Sequence, residues 1–242
     1  LQEAIYDDVP DKIKRLDAVI PAGVVDSTRY LRPATPFSDT ALMTNARDEP
    51  TLAAELRAEL ASADQVDLLC AFVKWQGVRL LEGELSELKR RKVKLRVITT
   101  TYLGATDARA LDELVNAYGA EVRINYEINR TRLHAKAWML GRNTGFNTAY
   151  VGSSNLSHAA LVDGLEWNVR LSAVSTPHLL DKFRATFDSY WESREFELYR
   201  PAEDGDKLRE ALEVAAGKKT SERVVVTLSG LEVQPKPYQA EM

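Results

Sequence analysis

Cysteine is nearly absent from this chain. The single thiol, Cys70, has no partner for a disulfide within the sequence, which excludes a disulfide-stapled scaffold and fits a reducing, cytoplasmic compartment. Set in the apolar run VDLLCAFV, it reads as a small core residue. Histidine is scarce as well: there are three, with neither a Cys/His cluster nor an HExxH pair, so no zinc site is expected. No run of about 18 apolar residues occurs, so no helix is expected to span a membrane. No signal-peptide pattern opens the chain. The net charge of -4 lacks the basic excess of a protein that binds nucleic acid over its whole surface, so any such contact has to be local.

What the sequence does hold is ordinary globular material. Its 242 residues, 45% hydrophobic and 28% charged, allow one large domain or one domain with appendages. Residues 1–50 carry five of the prolines, with only DKIKRLDAVI and TALMT looking regular, and read as an arm or a set of loops. From Thr51, TLAAELRAELASAD has helical spacing and QVDLLCAFV is a buried strand. GVRLLEGELSELKRR then reads as an amphipathic helix, KVKLRVITT as a strand, TDARALDELVNAYG as a helix closed by Gly119, and EVRINYE as a strand. This alternation predicts an α/β domain over 51–200, with a mixed, largely parallel sheet flanked by helices on both faces. TPHLLDKFRATFDSYWES adds one more amphipathic helix, in which Tyr190 and Trp191 read as packing groups. Residues 201–242 begin with a charged, Ala-rich stretch, a helix or a linker; its Gly217-Lys218-Lys219-Thr220 lacks the glycine and Lys-Ser/Thr pair of a phosphate loop. A chain that starts at Leu1 is expected to be a piece of something longer.

The chemistry gathers between Arg132 and Ser172. LHAKAWML reads as a strand on which His134 and Lys136 share a face. After the turn-formers Gly141, Asn143, Gly145 and Asn147, TAYVG returns as the second arm of a hairpin and delivers Gly152, Ser153, Ser154 and Asn155. LSHAALV then reads as a helix capped by Ser154, Asn155 or Ser157, whose free amides would favour an anion. An imidazole, an ammonium, a hydroxyl and a carboxamide brought together in this way suit a phosphate oxyanion. Arg130 and Arg132 lead into the stretch as candidate nucleic-acid contacts. The run of Lys89, Arg90, Arg91, Lys92, Lys94 and Arg96 reads mainly as a solvated helix end and strand edge.

These residues resemble the phospholipase D superfamily, whose signature is H-x-K followed by G-S-x-N, here His134-Ala135-Lys136 and Gly152-Ser153-Ser154-Asn155. In the nuclease branch a glutamate follows roughly a dozen residues later at the start of another strand, and Glu166 in LEWNVRLS stands in that place. The resemblance implies a phosphodiesterase in which one histidine attacks phosphorus, Lys136 and Asn155 hold the nonbridging oxygens, and Glu166 hydrogen-bonds a histidine. It requires no metal or other cofactor. Two departures stand out: Gly141 occupies the place of an acid beyond the lysine, and 15 residues separate Lys136 from Gly152, a longer hairpin than usual. His158 and His178 are not followed by the lysine of a second motif, so catalysis would need two chains, a homodimer. The missing acid keeps open a noncatalytic module of the same fold that binds nucleic acid or a partner. Phospholipid chemistry lacks a membrane-directed segment in its support.

At the far end, Pro237-Tyr238-Gln239 resembles the opening of a superfamily two helicase core, where such a glutamine lies against adenine. That resemblance implies the N-terminal nuclease module of a helicase-linked, DNA-processing or restriction-like enzyme, with ATP used only by the motor.

Overall fold

The computed structural model describes residues 33–127 and 133–217. Eight strands make one mixed sheet: β1 (Ala41–Met43), β2 (Gln65–Cys70), β3 (Lys94–Thr100), β4 (Glu121–Asn125), β5 (Lys136–Gly141), β6 (Thr148–Gly152), β7 (Asn168–Ser172) and β8 (Glu197–Leu198). Their order across the sheet is β1-β7-β6-β5-β2-β3-β4-β8. Parallel pairing is confined to β2, β3 and β4, the stretch where helices alternate with strands. The other neighbours run antiparallel, so the sheet is less parallel than the alternation alone implies. The physical reason is the connections: β5, β6 and β7 are joined by segments without a crossover helix, and such connections return the chain antiparallel.

Among the described residues six α-helices flank the sheet: α1 (Leu52–Leu60), α2 (Trp75–Leu80), α3 (Glu82–Arg90), α4 (Ala108–Asn116), α5 (Pro177–Glu192) and α6 (Pro201–Ala215). Thr51 caps α1 by accepting the Ala54 N–H at 3.2 Å. Pro177 and Pro201 open α5 and α6, where a missing N–H costs nothing. The amphipathic stretch expected as one helix is two, broken at Leu81 (φ -113°, ψ 14°).

Alternation along the strands sorts side chains onto two faces. Val66, Leu68, Val97, Val122, Trp138 and Tyr150 pack with Leu56, Val78, Leu85, Leu111 and Leu208 from α1, α2, α3, α4 and α6. Leu69 and Ile98 point the other way, onto Phe187 of α5, and Met139 and Ala149 meet Leu180 of the same helix. The helices therefore lie on both faces. Two elements come from stretches outside the α/β alternation: β1 adds an edge strand beside β7, and α6 packs against α4. Both bury apolar residues that would otherwise face water, Met43 in β1 and Leu208 and Leu212 in α6.

A cluster of charged groups is sealed inside. Glu59 of α1 is wholly buried and forms ion pairs with Arg142 and, at 2.8 Å, with Arg170, both of which have fully buried side chains. The Glu59 carboxylate also accepts from Thr148 Oγ1 at 2.8 Å and Tyr150 Oη at 3.1 Å, and both guanidinium groups lie over the Phe37 ring. Burial pushes Arg142 below its ordinary pKa, with Glu59 opposing, and raises the Tyr150 hydroxyl far above its own.

The basic run on α3 and β3 is largely committed to structure. Arg91 donates to the Leu60 and Ala63 carbonyls, Lys89 to those of Asn116 and Ala117, and Arg96 forms a bidentate pair with Asp67 at 2.6 and 2.8 Å. Among the described residues, no helix is long and apolar enough to cross a membrane.

Candidate active site

The site lies where β2 ends and β5 begins. Register places Lys136 beside Cys70 on the neighbouring strand, and His134 stands two residues before Lys136, just outside the ladder. The Lys136 side chain turns back on that histidine: Nζ lies 2.9 Å from each ring nitrogen and donates to the His134 carbonyl at 2.7 Å. Lys136 is only 6% exposed while the His134 ring is open to solvent, so a buried cation backs an accessible imidazole. Burial pushes the Lys136 ammonium below its ordinary pKa, and the charge of the nearby Glu166 carboxylate opposes that shift.

The G-S-S-N turn closes over the same end. A Cβ at Gly152 would sit 2.2 Å from the Trp167 carbonyl, so only glycine lets β6 pass that close to the start of β7. Ser153 follows, donating its hydroxyl to the Glu166 carboxylate while accepting the Trp167 N–H at 3.1 Å. Ser154 is buried and accepts from Asn168 Nδ2 at 2.8 Å. Asn155 accepts the Phe72 N–H through Oδ1 at 3.2 Å, which fixes the amide so that Nδ2 is the donor left for a ligand.

Three residues with no motif signature hold this arrangement. Leu156 donates its N–H to Cys70 Sγ at 3.2 Å and accepts from Lys74 N at 2.8 Å, tying the turn to the end of β2. Gly77 in α2 makes room for it, since a Cβ there would lie 2.4 Å from the Leu156 carbonyl. Phe72 sets its ring edge-on against His134, with centroids 5.9 Å apart. No local pattern announces these roles, because each depends on contacts between segments far apart in the chain. Cys70 is buried as expected, and burial pushes its thiol up to about 11, so it stays protonated and inert at neutral pH.

Two local expectations need correction. Glu166 lies two residues before β7 rather than within it, and its hydrogen-bond partner among the described residues is Ser153, not a histidine. The cause is the close pass of Gly152 against Trp167, which brings the Ser153 hydroxyl to the Glu166 carboxylate. LSHAALV forms a five-residue π-helical turn, Ala159–Asp163, in place of an α-helix. The Ser157 hydroxyl accepts the Ala160 N–H at 3.2 Å, but so short a turn provides no helical anion site.

His158 stands 3.0 Å from Asp163, and His178 lies in the first turn of α5. Arg130 and Arg132 fall outside the described residues, as do Pro237, Tyr238 and Gln239. Gly141 closes β5, five residues beyond Lys136, about 17 Å at the rise of a strand. An acid at that position would therefore sit at the far end of the sheet from His134. Among the described residues, no group of three or more His, Cys, Asp or Glu side chains is placed to hold a metal ion.

Glu166 offers a test of this geometry through Lys136. The carboxylate stabilises the ammonium, so Glu166→Gln removes an attractive charge and should lower the Lys136 pKa further. NMR titration of the Lys136 ammonium in the two proteins should show the midpoint move to lower pH in the variant. An unmoved midpoint would place Glu166 outside the electrostatics of the site.

A mixed sheet covered on both faces, with an H-x-K strand and a G-S-x-N turn meeting at one end, defines the phospholipase D-like class. The profile of the family described as "Cardiolipin synthase, PLD-like domain" matches residues 56–191, and the chain belongs to that family. The fold is shared with Nuc from Salmonella typhimurium, a phospholipase D family member, at a TM-score of 0.50 and 17% identity over 67% of this chain and 99% of Nuc. NucT from Helicobacter pylori aligns over 64% of this chain and 96% of its own, at 14% identity and a TM-score of 0.48. Phosphatidylserine synthase from Haemophilus influenzae aligns over 74% of this chain and 44% of its own, at 9% identity and 0.48. No curated protein matches the chain by sequence. Family membership thus gives a phosphodiesterase-type domain, and the finer assignment rests on the residues above.

Proposed function

We propose that this chain is a metal-independent phosphodiesterase acting on nucleic acid, with His134 as nucleophile. The observation that carries the reading is the pairing of a buried Lys136 ammonium with an exposed His134, while the Asn155 amide, held through Oδ1 by Phe72 N–H, keeps Nδ2 without a partner among the described residues. His134 attacks phosphorus, a P–N bond forms, and the P–O bond to the leaving alcohol breaks. The leaving oxygen takes a proton from a second histidine, which then removes one from water as water displaces the phosphohistidine. Lys136 and Asn155 meet the developing charge on the nonbridging oxygens. Ser153 and Glu166 form a hydrogen-bonded pair at the rim, and Glu166 adds its charge to the field at Lys136.

The second histidine is the His134 of another copy. Supporting a homodimer is an uncovered apolar row beside the site: Leu42, Val169 and Val151 face one another across β1, β7 and β6 and are 51%, 38% and 41% exposed. Trp167 and Leu165 extend it at 65% and 85% exposure. Exposed apolar surface of this extent marks an interaction site. Mixing equal amounts of wild-type and His134→Ala chains should lower activity to about a quarter of the unmixed rate, whereas independent subunits would retain about half, provided subunits exchange at random. An active monomer by light scattering would contradict the two-chain mechanism.

The noncatalytic reading drew on the missing acid, and the position of Gly141 at the far end of the sheet weakens that reason. DNA is the preferred substrate because the reading also takes the chain as the N-terminal module of a helicase-linked, restriction-like enzyme. In that reading an ATP-driven motor works with this module, Arg130 and Arg132 meet the DNA backbone, and a single Cys70 without a disulfide partner in the sequence is in keeping with a cytoplasmic enzyme. The test is incubation with labelled single- and double-stranded DNA in EDTA. Cleavage is expected; intact DNA with retained binding would favour the noncatalytic module.

A further inference from the structure

A cavity of about 470 Å³ opens directly beside His134, between the start of β5 and the last turn of α5. Its size falls within the ordinary range for a small-molecule site. Tyr190 and Phe196 supply an aromatic wall: their rings stack at 5.8 Å and 28°. Phe196 is buried among Leu69, Ile98, Leu133 and Phe187, and its carbonyl is held by Arg123 at 3.0 Å. Tyr190 is 37% exposed, so a ring supported from behind keeps one side accessible. Its neighbour Trp191 is committed differently, lying 5.3 Å from the Arg96 guanidinium and 5.0 Å from that of Arg123. The rest of the wall is polar. Ser189 in the last turn of α5 and Ser193, the residue that caps its C-terminal end, both line the cavity. The Ser193 hydroxyl accepts from Glu195 N at 3.3 Å and keeps its own proton to donate.

We propose that this cavity receives the nucleobase adjacent to the scissile phosphate, stacked on Tyr190 and hydrogen-bonded by Ser189 and Ser193. The inference rests on the phosphodiesterase reading, because it takes a phosphate at His134 as its anchor. A flat heteroaromatic ring with acceptor atoms satisfies both the aromatic wall and the hydroxyls. An acyl chain would bury those hydroxyls without partners, which is unfavourable. Tyr190, a packing residue by sequence pattern, thereby becomes a determinant of substrate class: unpaired, base-bearing strands fit, and duplex DNA fits only where a base can leave the stack.

The probe is a dinucleotide phosphodiester containing 2-aminopurine, titrated into the 242-residue protein and followed by fluorescence. Wild-type protein should quench it, and Tyr190→Leu, which keeps apolar volume against Phe196 but loses the π face, should raise Kd about tenfold. Tyr190→Phe, which keeps the π face, should bind like wild type. Thermal melting checks that Tyr190→Leu folds. Should it not fold, competition on wild-type protein replaces it, and a dinucleotide lacking the base should compete about tenfold more weakly. Unchanged affinity in a folded Tyr190→Leu protein, equal competition by the baseless probe, or no binding to wild type would each overturn the assignment. Tyr190-dependent binding without cleavage would instead overturn the hydrolytic reading and leave the pocket standing.

Discussion

His134→Ala is expected to reduce phosphodiester cleavage by at least about 10³-fold while leaving the melting temperature of the protein unchanged. The two halves of that expectation have separate causes. The imidazole forms the P–N bond, so alanine removes the reaction path and not merely a contact. Stability is spared because His134 is exposed, precedes the β5 ladder, and meets Phe72 edge-on rather than in a packed core. Lys136 loses its ring contacts but keeps the His134 backbone carbonyl, which remains as residue 134 of the variant. Single-turnover cleavage and thermal melting measured on the same preparations check both. Cleavage at the wild-type rate by the folded variant would remove His134 from the mechanism.

Glu59→Ala should produce a large loss of stability. It leaves two fully buried guanidinium groups, Arg142 and Arg170, without their shared carboxylate, and removes an acceptor used by Thr148 and Tyr150. Breaking a buried ion pair from one side costs about 3–5 kcal/mol. For a chain of this length that corresponds to a melting temperature lower by about 10 °C. Replacing Glu59, Arg142 and Arg170 together by apolar residues of similar volume should recover most of the loss, because a buried triad is close to neutral against well-packed hydrophobic side chains. A Glu59→Ala protein that melts with the wild type would mean that water reaches the cluster. Since Arg142 directly follows β5 and Arg170 lies within β7, the cluster fixes the far end of the same strands that carry the site.

Much of this architecture can be read from the chain because its signals are local. The β2-to-β4 alternation has clear helical and strand periods, and the turn-formers between Lys136 and Gly152 announce the β5–β6 hairpin. His134, Lys136, Ser153 and Asn155 are legible for the same reason, since each sits at a strand end that the pattern marks. What escapes the sequence depends on distant contacts. Glu59, Arg142 and Arg170 look like three unrelated charges until the sheet order brings them together. Ser153 and Glu166 are 13 residues apart, and their pairing follows from the close pass of Gly152 over Trp167, which no periodicity encodes. Tyr190 has the helical spacing of a packing residue, and only its place at the open end of α5 sets it beside His134.

The central claim is that His134 becomes covalently bound to phosphorus. A rapid alkaline quench of the protein during cleavage of labelled DNA, followed by peptide mass analysis, tests it most directly. The label is predicted on the peptide containing His134 and absent from the His134→Ala protein. Cleavage that proceeds with the label on another residue, or with no protein-bound label at any quench time, would contradict it.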